Sequence, residues 1–237
     1  MSHRLAWLLV QAALAVLLVV QPAQAALEFS AGGTDLITFV TATASSFNAP
    51  SALTYMFWYY KVGTANLTND IGAISKGSNL PFYHASGAAP NGVAMGVSAV
   101  WECRVSTGNQ IANEAWTHIA FVWNNVTWAV YVNGVAATLA GTCTSNFASN
   151  ANDMTLEDNN AVITQWAAFK VWEATLSSAE IASEMQVIRP QRTADLSHWH
   201  PFDDGLRALD YSGRGNNPST VTGTAQRNGP PASWGGE

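Results

Sequence analysis

The sequence has few charged residues, which make up 11% of its 237 residues, against about 25% in ordinary soluble domains. Only 10 residues are Lys or Arg, and the formal net charge is −6. Binding to phosphate backbones requires clustered basic side chains, so this composition argues against a nucleic-acid partner. Ser, Thr, Asn and Gly take the place of charges, a mixture typical of a β-rich extracellular domain.

Long apolar runs are also scarce, and the one that exists lies at the N-terminus. A basic start, His3 and Arg4, precedes the apolar stretch Leu5–Val20, and a motif of small residues follows at 23–25. This order is typical of a secretory signal peptide spanning 1–25, with a membrane anchor as the alternative. No later stretch is long and apolar enough to span a bilayer. We therefore predict a secreted or periplasmic protein without membrane insertion after signal cleavage.

Cysteine is limited to Cys103 and Cys143. In an exported protein two cysteines predict one disulfide bond between them, because the compartment is oxidising. The alternative is a pair of buried free thiols.

The rest of the chain is rich in strand signals. Aromatic and β-branched residues fill 52–62 and 92–106, as expected of strands. The segment 116–139 contains two strands separated by Asn124 and Asn125, and then Asn133-Gly134, a strong signal for a two-residue hairpin turn. The pattern predicts an antiparallel meander.

One helix is predicted near the end, within 174–190. Ser177 and Glu180 have the spacing of a capping box, and Pro190 would stop the helix. A narrow apolar stripe indicates a surface helix packed over a sheet; its residues are Ile181, Met185 and Ile188.

No motif for covalent catalysis is visible. Glucanases of this kind place their catalytic carboxylates at alternate positions on one strand, so that they face the same cleft. Here the close acidic pairs are Glu157-Asp158 and Asp203-Asp204. The members of each pair are adjacent in sequence, so on a strand they would point to opposite faces. The G-x-S-x-G elbow and phosphate-binding loops are also missing. We predict no enzyme activity, with a degenerate glycan-active enzyme as the least favoured alternative.

The segment "SHWHPFDDG", residues 197–205, raises the question of a metal site. On a strand, His198 and His200 share one face, as in many zinc sites, and Asp203 or Asp204 could add a ligand. The structural alternative is an edge strand followed by an aspartate-capped turn. We favour that alternative and expect both histidines to point outward into solvent.

A second candidate site is the segment 80–91, interpreted as a loop. It contains Tyr83 and His84, which could form part of a binding face for a sugar or a protein. An ordinary loop is the alternative.

Several stretches resemble laminin G-like domains of the concanavalin A-like lectin and glucanase superfamily. The stretch "WTHIAFVWNNVTWAVYVNG" resembles their paired central strands, "FKVWEATLSSAEI" their last core strand and short helix, and "LTYMFWYYKV" an early strand. The tail Leu196–Pro231 is similar to that of many exported bacterial and phage proteins of this type. The resemblance implies an all-β, antiparallel jelly-roll sandwich, and it does not imply an activity.

The resemblance also brings calcium into consideration, since laminin G-like domains sometimes hold one calcium ion at a loop rim. Here the acidic segment 152–160, interpreted as a loop, offers Asp153 and Asp158 as carboxylate ligands. A solvated loop is the alternative.

Together these observations predict a signal peptide at 1–25, one laminin G-like domain at 26–227 and a loose tail at 228–237. The expected function is that of an exported, non-catalytic recognition module that binds a carbohydrate or a protein partner at the cell surface. The alternative is a structural subunit of an envelope, appendage or virion that associates with copies of itself.

Overall fold

The computed structural model describes residues 25–31, 35–39, 50–63, 72–77, 79–85, 92–97, 100–105, 111–141, 151–158, 162–205, 207–222 and 224–233. The predicted signal peptide lies outside these residues except for Ala25, which begins the first strand. Within the described residues, no helix has the length and apolarity needed to cross a membrane.

Within the described residues, two antiparallel sheets of eight strands each form a sandwich, which confirms the predicted fold class. Sheet 1 contains β1 (Ala25–Phe29), β3 (Leu53–Val62), β8 (Thr117–Trp123), β9 (Trp128–Val132), β10 (Val135–Ala136), β13 (Ile163–Trp172), β14 (Leu196–His200) and β16 (Thr224–Asn228). Sheet 2 contains β2 (Asp35–Phe39), β4 (Gly72–Lys76), β5 (Asn79–Ala85), β6 (Gly92–Val97), β7 (Val100–Val105), β11 (Leu139–Gly141), β12 (Met154–Asp158) and β15 (Pro218–Thr222).

Strand order explains how distant segments meet. Sheet 1 runs β10-β9-β8-β3-β13-β1-β16, with β14 also paired to β13. Sheet 2 runs β11-β7-β6-β5-β4-β12-β2-β15. The C-terminal segment therefore supplies strands to both sheets.

The core lies between the sheets and is dominated by aromatic side chains. Phe57 contacts Phe82 across the sandwich, with ring centroids 4.9 Å apart, and Trp166 contacts Tyr59 at 4.9 Å. All four side chains are fully buried. Rings of this size bury large apolar areas and fix how the two sheets pack together.

The predicted meander is confirmed by the pairing of β8 with β9 and of β9 with β10. Asn133 and Gly134 have φ values of 51° and 77°, as a two-residue hairpin turn requires. The Asn133 side chain also accepts a hydrogen bond from the backbone amide of His118 at 2.9 Å. The turn is thereby tied to the strand beside it.

Helix α1 (Ser178–Met185) has the predicted capping box. The Glu180 amide donates to the Ser177 hydroxyl at 3.3 Å, and the Ser177 amide donates to the Glu180 carboxylate at 2.8 Å. Ile181 is fully buried against sheet 1. The helix covers the outer face of that sheet.

The predicted loose tail begins inside β16, and its residues through Ser233 contact the body of the protein. The amide of Ile188 donates to the Ser233 carbonyl at 2.6 Å, and the Ser233 amide donates to the Gln186 carbonyl at 3.0 Å. Ala232 is 2% exposed. Residues 234–237 lie outside the described residues.

Candidate functional site

The two outer faces of the sandwich differ in what covers them. The outer face of sheet 1 lies under α1 and the segment that follows it. Where α1 covers this face, the side chains of Met56, Ala120, Val122 and Trp172 are buried together with Leu176 and Ile181. This part of the face forms a second apolar cluster outside the main core.

A buried ion pair strengthens the attachment of α1. Lys170 on β13 and Glu184 on α1 are each 2% exposed and lie 3.0 Å apart. The Lys170 ammonium also donates to the carbonyls of Glu184 and Val187, and the other Glu184 oxygen accepts the amides of Gln191 and Arg192. Burial lowers the pKa of Lys170 to about 8, against the opposing effect of Glu184. The hydrogen bonds hold both charges in place without solvent.

The outer face of sheet 2 is polar and partly exposed where β15, β2, β12 and β4 lie side by side. Pairing aligns Thr220 with Thr38, Thr38 with Thr155, and Thr155 with Ser75. These side chains alternate with the buried core residues of the same strands. The Ser75 and Thr155 hydroxyls share a hydrogen bond of 2.6 Å. We call this row, with Glu157 beside it, the hydroxyl face.

Glu157 adds the carboxylate of the hydroxyl face. It lies in the adjacent row, in register with Leu36 and Ala73. Burial raises the pKa of Glu157, and a hydrogen bond from Ser75 opposes that change. The hydroxyl face therefore combines groups that donate and accept with one strong acceptor.

The residues of the hydroxyl face come from strands far apart in the sequence, and the sequence analysis did not select them. A polar residue between two apolar neighbours is visible in β2 and β12. The alignment of these residues in one row depends on the order of the strands in the sheet, and alternation within a single strand does not reveal that order.

Tyr83 and His84 lie on β5, so the loop prediction is wrong for residues 80–85. The segment is extended because it pairs with β4 on one side and β6 on the other. Tyr83 and His84 are thus neighbouring positions of one paired strand, and their role in binding stays a prediction.

The predicted calcium ligands lie at the two ends of one strand. The segment predicted as a loop contains β12, with Asp153 just before it and Asp158 at its end. Five residues of extended chain span about 17 Å, so the two backbone positions are far apart, and the calcium site stays a prediction. Asp153 acts electrostatically on the ammonium of Lys76, which is buried.

His198 and His200 do not point into solvent, so that prediction is wrong. Both are 0% exposed and face the core, where the His200 ring lies 4.4 Å from that of Phe39. His200 Nδ1 bonds to the Ala208 carbonyl at 2.7 Å. The strand turns this face inward because β14 pairs with β13 within the sandwich.

The aspartates after these histidines cap turns, as the structural alternative predicted. Asp204 accepts the amides of Ala208 and Leu209, both at 3.1 Å. Asp210 accepts the amides of Trp199, Ser212 and Asn216. Within the described residues, no three His, Cys, Asp or Glu side chains are grouped so that they could hold a metal ion.

The disulfide stays a prediction. Cys103 is 4% exposed on β7, whereas Cys143 lies outside the described residues.

Comparisons with known proteins agree with the fold. The chain is similar to a protein from Bacteroides ovatus ATCC 8483 that is described as a candidate carbohydrate-binding protein, with a TM-score of 0.65 and 13% identity. The match covers 87% of this chain and 60% of that one. A heptameric SAP-like pentraxin from Limulus polyphemus matches with a TM-score of 0.46 and 12% identity, over 69% of this chain and 82% of that one. A comparison with curated protein sequences finds no match.

A family model described as the concanavalin A-like lectin/glucanases superfamily, Laminin_G_3, matches residues 32–182. That range extends from the segment before β2 into α1. The predicted resemblance is confirmed, and the chain belongs to this laminin G-like family.

Proposed function

We propose that the protein is an exported, non-catalytic recognition module that binds a glycan through the hydroxyl face. The observation that carries the proposal is the asymmetry of the sandwich. α1 covers an apolar cluster on one outer face, and the other outer face presents the aligned, partly exposed side chains of Thr220, Thr38, Thr155 and Ser75. The Bacteroides ovatus protein, which has a similar fold, is described as a candidate carbohydrate-binding protein, and this description supports a carbohydrate ligand.

The chemistry of the hydroxyl face suits a sugar. Hydroxyl groups both donate and accept hydrogen bonds, as sugar hydroxyls do, and the Glu157 carboxylate accepts them. The side chains are held by a sheet, so little conformational entropy is lost when a ligand binds. A face of this kind matches a flat polyhydroxylated chain.

The neighbourhood of Glu157 favours binding over hydrolysis. A retaining glycosidase needs two carboxyl groups about 5 to 5.5 Å apart. The aligned neighbours of Glu157 are Leu36 and Ala73, and Thr155 is next along the strand on the same face. None of these supplies a second carboxylate.

A glycan array, read with and without calcium, tests the proposal. The informative variant is Thr155→Val with Glu157→Gln, which removes one hydroxyl and the carboxylate charge from the hydroxyl face with little change in volume. We expect at least a tenfold loss of affinity for each glycan bound by the unaltered chain. The control is Thr175→Val, the same chemical change at an exposed site beside α1.

The array also separates the alternatives. Absence of binding to every glycan would contradict the carbohydrate proposal and favour a protein partner or self-association. Equal loss in the Thr175→Val control would show that the effect is not specific to the hydroxyl face. Export is tested separately by sequencing the N-terminus of the secreted protein, which we expect to begin at Ala26.

A further inference from the structure

An aromatic pair lies on the surface of the C-terminal segment, beyond the residues that the family model matches. Tyr211 is 47% exposed, and its ring centroid lies 5.8 Å from that of Trp199. The Trp199 ring packs on the apolar cluster beneath α1. Tyr211 is thus an exposed ring on a fixed aromatic support.

Two charged side chains of opposite sign accompany the ring. Asp203 and Arg207 are both exposed, and after Asp204, whose effect is larger, their charges act on the Tyr211 hydroxyl. The carboxylate accepts hydrogen bonds, and the guanidinium donates them. We call Trp199, Tyr211, Asp203 and Arg207 the aromatic platform.

The backbone under the aromatic platform is held at several points. Phe202 and Ala208 are fully buried with positive φ values of 63° and 50°. The Gln226 side chain donates to the carbonyls of Phe202 and Gly205, at 3.1 and 2.7 Å. The Tyr211 amide donates to the Trp199 carbonyl at 2.8 Å. Because these contacts already order the segment, a ligand would not have to do so.

We propose that the aromatic platform is a second carbohydrate contact site, which takes one neutral pyranose ring of a glycan. This inference rests on the proposed glycan-binding function. The weakly positive C–H face of a pyranose ring complements the negative face of the Tyr211 ring. Asp203 and Arg207 bind the hydroxyls at its rim. A neutral sugar is favoured over an acidic one because Asp203 and Asp204 are close and the chain carries a net charge of −6.

Affinity electrophoresis of the full secreted chain tests this inference. The gels contain laminarin, galactomannan or, as an acidic probe, polygalacturonate. For each neutral polysaccharide that retards the unaltered chain, we expect Tyr211→Ala to weaken binding at least tenfold and Tyr211→Phe to weaken it less. The matched control is Tyr60→Ala, since Tyr60 is also a partly exposed ring tilted against a tryptophan, Trp116, at 5.3 Å. The affinity of the Tyr60→Ala variant should stay within twofold of that of the unaltered chain.

The outcomes are distinguishable. One outcome is that Tyr211→Ala binds as well as the unaltered chain while the Thr155→Val and Glu157→Gln variant loses binding. This outcome would overturn the role of the aromatic platform and leave the proposed function unaffected. Stronger retardation by polygalacturonate would overturn the assignment to neutral sugars. If no gel retards the unaltered chain, the inference falls together with the glycan function. Thermal unfolding followed by circular dichroism confirms that each variant is folded.

Discussion

At the scale of single residues, the least expected feature is the number of ionisable side chains inside the sandwich. Lys170, Glu184, His118, His198 and His200 are each at most 2% exposed. Charges are rare in this chain, and several of those present are buried. The stability of the fold should therefore depend on pH and on individual charged groups.

Glu184→Gln should be strongly destabilising. The change leaves the Lys170 ammonium buried without its counter-charge, and breaking a buried pair in this way costs about 3 to 5 kcal/mol. The double variant Lys170→Met with Glu184→Leu should lose less stability than Glu184→Gln, because neither buried charge remains. Urea unfolding measures both. As a control, Arg227→Met breaks the partly exposed pair with Glu28 and should cost much less stability; an equal loss would contradict the argument.

Acid should destabilise the protein through its buried histidines. Burial, then the charge of His200, lowers the pKa of His198 to about 3, whereas in the unfolded chain it is about 6.5. Between these values the unfolded chain binds a proton that the folded protein does not bind. The free energy of unfolding therefore falls as the pH falls from 6.5 toward 3.

The measurement is the free energy of unfolding between pH 7 and pH 4, for the unaltered chain and for His198→Phe. The variant should show a shallower decline, by up to about 1.4 kcal/mol per pH unit. Parallel curves for the two proteins would rule out His198 as a source of the acid sensitivity.

At the scale of elements, the hairpin turn and the helix depend on each other. A Cβ atom added at Gly134 would lie 3.3 Å from Cε of Met185 on α1. Gly134 has a φ of +77°, and Gly215 has a φ of +76° with open space around it. The two glycines therefore differ in packing and not in backbone conformation.

We expect Gly134→Ala and Gly215→Ala to cost about 1 to 2 kcal/mol each, since both force alanine into the left-handed region. The added cost at Gly134 should be small, because the end of a methionine side chain moves readily. Chemical denaturation of both variants provides the comparison. A much larger loss at Gly134 would show that Met185 is fixed in place.

At the scale of the whole molecule, the sandwich extends beyond the matched family region. The match ends at residue 182, yet β14, β15 and β16 follow it and pair with β13, β2 and β1. Phe39 packs against His200 of β14 at 4.4 Å. The C-terminal segment is thus part of the domain.

A chain that ends at Asp195 should not fold cooperatively. It lacks three strands, and the apolar side chains that face them, Phe39 and Phe169 among them, would be exposed to water. Calorimetry and binding of a hydrophobic dye measure the loss. A control chain that ends at Ser233 keeps the described contacts and should retain one sharp transition. A sharp transition in the shorter chain would show that the segment is dispensable.

Local patterns were sufficient for the elements whose signals lie close together in the sequence. The Asn133-Gly134 turn needs only two residues with positive φ, and the capping box needs only Ser177 and Glu180 at a spacing of three. Both were predicted correctly. The segments containing Tyr83 and Asp153 were wrongly interpreted as loops because their polar residues, taken alone, are typical of turns, whereas pairing with strands distant in sequence holds β5 and β12 extended.

The sequence by itself determined the meander and the helix, because alternation, turn residues and caps act over a few neighbours, whereas the two-sheet architecture was predicted from the resemblance to laminin G-like domains. Only the tertiary structure decided which side chains are buried and which are exposed. His198 and His200 are buried because β14 joins β13 with that face inward, and the hydroxyl face exists because β15, β2, β12 and β4 lie side by side. The direction in which a strand face points and the order of the strands both result from packing between segments far apart in the chain. A local sequence pattern therefore does not predict them.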